Sequence, residues 1–318
     1  VSGPERPLRF EKWQALGNDY LIVEASRLAF ELTPARVHNL CAGHFGIYAD
    51  GVLLLSEPAD PAHVADLRIF NPDGSEAELS GNGAREAILY LRSRGWTDRE
   101  QFAIHTAAGE IRPTITGPDT CTVDMGVADV RSRDFPDGPE DGRGELTAGD
   151  RSWSFRHVSI GNPQCAIHVG SLHELQQLDL PAIGPAIEGH AKFPNRTNVS
   201  WYTELDGGAE SAPADGANAA ASDPDGRCGA HPRIRARIFE RGVGETLSSG
   251  TGATGAAVAH TLSFGPTLRP QRVTVVLDGG ELDVEVGEDL RVNLTGWARP
   301  VFEGRLSEEF EKELHETE

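Results

Sequence analysis

The feature that most constrains this chain is an internal duplication. Residues 71–85, Asn71-Pro-Asp-Gly-Ser-Glu-Ala-Glu-Leu-Ser-Gly-Asn-Gly-Ala-Arg85, recur as Gly242-Val-Gly-Glu-Thr-Leu-Ser-Ser-Gly-Thr-Gly-Ala-Thr254. Aligned on Ser80 and Ser249, the copies share Glu76 with Glu245, Gly81 with Gly250, Gly83 with Gly252, Ala84 with Ala253 and Ala87 with Ala256. Each runs into an apolar helical stretch, so each Ser-Gly-x-Gly is predicted to start a helix. First-turn N–H groups have no partner inside the helix and carry partial positive charge, which invites an anion. Two such ends point to one shared anion.

A second pair of matching signals precedes the first. Leu16-Gly-Asn-Asp19 follows a strand-like run from Arg9 to Ala15, and Gly161-Asn-Pro163 follows Trp153–Ile160. The excess length of the second copy matches 206–232, which is rich in Ala, Gly, Asp and Pro without periodicity and reads as a disordered insertion. The remaining pattern predicts a helix at 34–41, strands at 20–23, 51–55, 65–70, 102–105, 121–124, 165–169, 273–277, 282–286 and 290–294, and a terminal helix over 306–315. Residues 134–149 read as a surface loop near a domain boundary. A chain of 318 residues with a duplicated motif fits two domains. The expected class is mixed α/β, with residues 1–130, completed by 299–318, forming one half and 131–298 the other.

Composition narrows the partners. A formal charge of −20 repels nucleic-acid backbones and anionic membranes, so an anionic ligand must be held by local groups. The chain shows no membrane-length apolar run and no signal-peptide pattern at its first residues, which makes cytoplasm the default expectation. Cys41, Cys121, Cys165 and Cys228 have neither metal nor redox spacing and read as free thiols, mostly buried. Lysine occurs only at 12, 192 and 312, outside the glycine-rich motifs, which argues against a Schiff base with pyridoxal phosphate. No cofactor and no metal are expected.

Plainer readings compete. Gly250-Thr-Gly-Ala-Thr-Gly255 matches a dinucleotide-binding pattern, but Arg237-Ile-Phe239 ends well before Gly250, whereas that fold needs the strand to run straight into the first glycine. The glycines could merely permit tight turns, although two copies with the same Glu and Ser weaken that reading. The amides of Asn18, Asn162 and Asn198 could hold turns rather than a ligand. Glu240-Arg241 could be a surface ion pair. Two related halves, each offering an anion-binding helix end and a polar side chain before it, suit the movement of a proton from one face of a carbon to the other.

The chain resembles the diaminopimelate epimerase family, within the wider group of cofactor-independent epimerases that includes proline racemase. The resemblance is carried by Leu16-Gly-Asn-Asp-Tyr20, Phe45-Gly-Ile-Tyr-Ala-Asp-Gly51, Phe70-Asn-Pro-Asp-Gly-Ser-Glu76, Ser80-Gly-Asn-Gly-Ala-Arg85, Ser159–Pro163, Arg196-Thr-Asn-Val199, Glu240-Arg-Gly-Val-Gly-Glu-Thr246 and Ser249-Gly-Thr-Gly252. It implies two domains, each a curved sheet around a central helix, with the substrate in the cleft between them. It implies substrate contacts from Asn18, Asn71, Asn162, Asn198, Glu240 and Arg241, and backbone N–H groups of Gly81-Asn82 and Gly250-Thr251 on the α-carboxylate. The activity implied is interconversion of L,L- and meso-diaminopimelate by two-base proton transfer, with a small amino-acid dicarboxylate as partner and a homodimer as an allowed assembly.

The departures bear on chemistry. In the family the proton-transfer residues are cysteines at the positions of Ser80 and Ser249. A thiol has a reference pKa of about 8.5, lowered at a helix start, while a hydroxyl is a far weaker acid that needs a base beside it. Gln164 stands where the family usually has histidine, leaving Glu76, Glu245 and Glu240 as candidate bases. The serines are open to three readings: mutated cysteines, a natural relative with altered chemistry, or a protein that binds without turnover. Glu86 and Thr254, where the family often has further cysteines, favour natural divergence. The alternatives to epimerisation are double-bond isomerisation or dehydration of a small carboxylate, and binding of an amino acid alone.

Overall fold

The computed structural model describes residues 8–78, 80–205, 231–264 and 271–317. The expected insertion at 206–232 lies almost wholly outside them, as does Cys228. The duplication extends to the sheets. In the first, strand Arg9–Ala15 pairs antiparallel with Asn18–Glu24, that strand parallel with Val52–Ser56, Val52–Ser56 antiparallel with Asp66–Phe70, and Asp66–Phe70 parallel with Ile104–Thr106. In the second, Arg151–Ser159, Pro163–His168, Asn198–Glu204, Arg233–Glu240 and Gln271–Leu277 follow the same antiparallel, parallel, antiparallel, parallel order.

Helices fill the crossovers at matching places. Helix α1 (Pro34–Cys41) is capped by Thr33 and joins the second and third strands of the first sheet, while α3 (Leu172–Gln177) and α4 (Leu180–Glu188) do so in the second. Helix α2 (Gly81–Ser93) and helix α5 (Gly250–Thr261) follow the fourth strand of their sheets, each after a short hairpin strand, Glu76–Ala77 or Gly244–Thr246. Nearly every residue of α5 is buried, and α2 is buried from Asn82 to Leu91. Helices buried on nearly every side belong inside a fold, here packed against strands of both sheets. Glycine is needed where α5 passes its strands. A Cβ on Gly252 would lie 2.7 Å from Ile238 Cδ1, and one on Gly255 2.8 Å from Gln164 Cβ.

Among the described residues the first sheet has eight strands and the second eleven. Sheet membership changes between Ile111 and Pro113, ahead of the expected division near 130: strands Pro113–Ile115 and Thr120–Val127 join the second sheet. Strand Arg299–Arg305 returns to the first sheet beside Arg9–Ala15, and helix α6 (Glu308–Glu316) packs Leu314 into the same core. A single apolar cluster runs from Trp13, Tyr20 and Leu53 through both central helices to Val284 and Leu294, so the two halves share a core.

The loop expected over 134–149 is a correction. Its last part, Arg143–Ala148, is a strand paired with Arg151–Ser159, with Leu146 and Ala148 facing inward. Arg143, Glu145 and Thr147 face outward and Gly144 puts no side chain on the inner face, so only two apolar residues mark the alternation and a compositional reading misses it. Among the described residues, no helix is long and apolar enough to cross a membrane.

Candidate active site between two helix starts

Ser80 and Ser249 are the N-caps of α2 and α5. Each has extended backbone and accepts a hydrogen bond on its side-chain oxygen from the N–H three residues on, Gly83 at 3.1 Å and Gly252 at 3.2 Å. This is what serine does best at a helix start, since it satisfies one orphan donor and leaves the others available. The two starts meet. A Cβ on Gly81 would lie 3.7 Å from Gly250 Cα, and the Asn82 amide donates to Ser248 Oγ at 3.0 Å across the halves.

The asparagines are tied into this meeting point. Asn82 also donates to Asn18 Oδ1 at 3.3 Å, and Asn18 donates to Asp50 Oδ2 at 2.7 Å. Leu16 and Gly17 turn the chain with positive φ of 53° and 84°, which delivers Asn18 to the cleft. In the second half Asn162 donates to Thr251 Oγ1 at 3.3 Å and accepts from Gln164 Nε2 at 2.6 Å. Asn198 donates to the Pro163 carbonyl at 3.2 Å and accepts from the Arg241 N–H at 2.8 Å. Asn71 stands apart: its amide donates to Ser75 Oγ at 3.0 Å and closes its own turn.

Glu240 and Arg241 do not pair as a surface dipeptide. The Thr246 hydroxyl donates to the Glu240 carboxylate at 3.0 Å, and Ser249 is its polar neighbour. Desolvation raises the affinity of Glu240 for its proton, and the two hydroxyls oppose the shift in part. Arg241 is exposed, with Nη1 on the Asn195 carbonyl at 2.8 Å. The other two candidate bases are corrected. Glu76 takes a two-pronged bond from Arg68, which lowers its pKa, and Glu245 accepts from Arg237 in the matching place. Their shared identity serves an ion pair repeated across the two hairpins.

Four contributors escaped sequence reasoning. The Tyr20 hydroxyl donates to Ser80 Oγ at 3.2 Å. Arg85, fully buried behind the helix starts, donates to Asn82 Oδ1 at 2.5 Å, leaving Nε and Nη1 without hydrogen-bond partners. Ser248 takes the cross-half bond from Asn82. The buried Glu188 holds the Gly242 N–H at 2.7 Å and so fixes the turn that carries Arg241. The repeated tripeptides Arg68-Ile-Phe70 and Arg237-Ile-Phe239 were the available signal, because they align Asn71 with Glu240. Cys41, Cys121 and Cys165 are free and buried, outside this cluster.

The arrangement offers an anion two converging helix starts and flanks it with hydroxyls of unlike backing. Comparison with known proteins agrees. A family model described as diaminopimelate epimerase matches residues 10–130 and 156–299. A diaminopimelate epimerase of Synechococcus sp. (strain JA-3-3Ab) is 37% identical over 309 residues, covering 95% of this chain and 99% of that one. The enzyme of the same name from Azoarcus sp. (strain BH72) is 34% identical over 302 residues, covering 94% and 98%. The fold is shared with a Bacillus anthracis phenazine biosynthesis protein of the PhzF family (TM-score 0.65, 17% identity, 95% and 99% covered). It is shared too with a hydroxyproline epimerase from Agrobacterium vitis (TM-score 0.60, 13% identity, 96% and 94% covered).

Proposed function

We propose that this chain, which belongs to the diaminopimelate epimerase family, interconverts L,L- and meso-diaminopimelate by moving a proton at one α-carbon. The substrate α-carboxylate would sit on the N–H groups of Gly81-Asn82 and Gly250-Thr251, where helix partial charge compensates it. Its α-carbon would then lie between Ser80 and Ser249. Arg241 is suited to grip the distal carboxylate in bidentate fashion, which a lysine would do less well. Asn18 and Asn162, and on exchanging their present partners Asn71 and Asn198, would hold the amino and carboxylate groups.

The observation that carries this reading is the convergence of two serine-capped helix starts at the Gly81–Gly250 contact. A carboxylate at that point acidifies no carbon by itself. It fixes the α-carbon between two groups, which converts a collision into a positioned proton transfer. Glu240, the polar neighbour of Ser249, supplies the base that a hydroxyl needs.

The unlike backing of the serines favours a second reading, isomerisation of an unsaturated carboxylate in which one face alone takes a proton. A single assay separates the two. Purified protein is given L,L- or meso-diaminopimelate and the stereoisomers are resolved by chiral chromatography. Approach to one mixture from both sides supports epimerisation; binding by calorimetry with neither isomer converted rejects it.

A further inference from the structure

A serine hydroxyl has one proton to give and two lone pairs to receive. On Ser80 both lone pairs are occupied, by the Gly83 N–H at 3.1 Å and the Tyr20 hydroxyl at 3.2 Å. A phenol is the stronger donor of the two hydroxyls, so the Ser80 proton is left for a third partner. Ser249 is arranged the other way. Its oxygen accepts from the Gly252 N–H at 3.2 Å, and the Glu240 carboxylate, held by the Thr246 hydroxyl at 3.0 Å, stands beside it as the acceptor its proton can reach.

Pseudo-symmetry shows that this difference is built into the sequence. The residue nine before each serine is Asn71 in one copy and Glu240 in the other. The residue two after each Gly-Asn is Tyr20 in one copy and Gln164 in the other. A carboxylate thus stands behind the second serine and a phenol behind the first. The Tyr20 ring is 5% exposed and lies against Gly51 and Gly83, so its hydroxyl is held in place.

We propose that Tyr20 sets the two serines to opposite hydrogen-bond polarity, Ser80 offering a proton and Ser249, backed by Glu240, accepting one, so that proton removal begins on the second face. The inference rests on the epimerase reading and deepens it. The Cα–H bond breaks and its proton goes to Ser249 Oγ, as the proton of Ser249 passes to Glu240. The electron pair stays on the α-carbon, delocalised into the adjacent carboxylate. The Ser80 proton then forms the new C–H bond on the opposite face, and the Tyr20 proton moves to Ser80 Oγ. A phenolate is a far weaker base than an α-carbanion, so this transfer runs downhill. Solvent removes the proton from Glu240 and returns one to Tyr20. Burial holds the Tyr20 phenol in its protonated form and strengthens Glu240 as a base, the states from which the cycle starts.

Tyr20 acts through Ser80 and is therefore a positioning residue. Neutron diffraction from deuterated crystals reads the polarity without turnover. The expected map has the Tyr20 deuteron on Ser80 Oγ, the Ser80 deuteron directed away from Tyr20, and the Ser249 deuteron on Glu240. A Ser80 deuteron on the Tyr20 oxygen overturns the proposal. A second readout is the initial rate at which the reacting α-hydrogen exchanges into D2O, for each stereoisomer alone. The native protein should exchange one isomer at least about tenfold faster, since each acid–base group is typically worth about 10² or more. Tyr20→Phe, which keeps the ring, should bring the ratio towards one with ligand affinity unchanged. Equal native rates, or a ratio unmoved by Tyr20→Phe, contradict it. Should neither isomer exchange while the neutron map is as described, the epimerase reading fails and the polarity stands.

Discussion

Gly81 and Gly250 touch: a Cβ added to either would lie 3.7–3.8 Å from the Cα of the other. Two helices from different halves therefore present their first-turn N–H groups to the same small volume. A cap residue with a thiol in place of the hydroxyl would sit in that field, which lowers thiol pKa.

Ser80→Cys together with Ser249→Cys should raise epimerase turnover by about 10² to 10⁴, and either change alone by much less. Each direction of the reaction needs a base on one face and an acid on the other, so one thiol leaves the partner step limiting. Sulfur for oxygen adds little bulk at either cap. Turnover measured by chiral chromatography, with affinity followed by calorimetry, checks this; a double variant no faster than the parent, still binding ligand, contradicts it.

Asn82→Asp should melt lower, because the amide bonds to Asn18 and Ser248 are lost, and should bind substrate about ten- to a hundredfold more weakly. The new carboxylate can still accept from Arg85, yet it places a like charge where the substrate carboxylate must sit. Thermal melting and calorimetry on the same sample separate the two effects. Unchanged affinity would remove the anion from the helix starts.

The three thiols among the described residues, Cys41, Cys121 and Cys165, should be inert. Burial pushes Cys41 and Cys121 up to about 12 and Cys165 well above the usual thiol range, so all three stay protonated and shielded at pH 8. Iodoacetamide, read by peptide mass spectrometry, should leave them unmodified for hours in the folded protein, while Ser80→Cys should become labelled at the new thiol. Rapid labelling of Cys121 in the native state would contradict this.

Much of the site could be read in the sequence because helix caps, turn glycines and duplicated motifs are local. The starts of α2 and α5 needed only Ser-Gly-x-Gly and the apolar run after it. Tyr20 could not be found that way, because a hydrogen bond to a residue sixty positions on has no local signature. Glu76 and Glu245 misled for the opposite reason. Their repetition is real, but it preserves a hairpin ion pair rather than a base. Strand Arg299–Arg305 lacks a buried face, with Val301 and Phe302 both exposed, so no alternation marks it, and its pairing with Arg9–Ala15 is set by the far end of the chain.

Glu86 offers a test of the buried first turn of α2. It is fully buried beside Arg85, both its oxygens lack hydrogen-bond partners, and desolvation raises its pKa well above the usual carboxylate value. A group whose pKa is raised on folding favours the fold below its unfolded pKa, and that contribution is lost as pH rises towards the folded value. Glu86→Gln removes this loss. The variant should match the parent near pH 4 and become progressively more stable than it as pH rises to 8, judged by urea midpoints. A constant difference across that range would mean that Glu86 does not titrate with folding.

The central claim is that a proton moves at a carbon held between Ser80 and Ser249. The most direct measurement is NMR detection of solvent deuterium entering the α-carbon of diaminopimelate in D2O, with the native protein beside Ser80→Ala and Ser249→Ala. Deuterium is expected at the inverted centre with native protein, with a loss of about 10² or more in either alanine variant while substrate still binds. Inversion without deuterium, or alanine variants as fast as the parent, would contradict it.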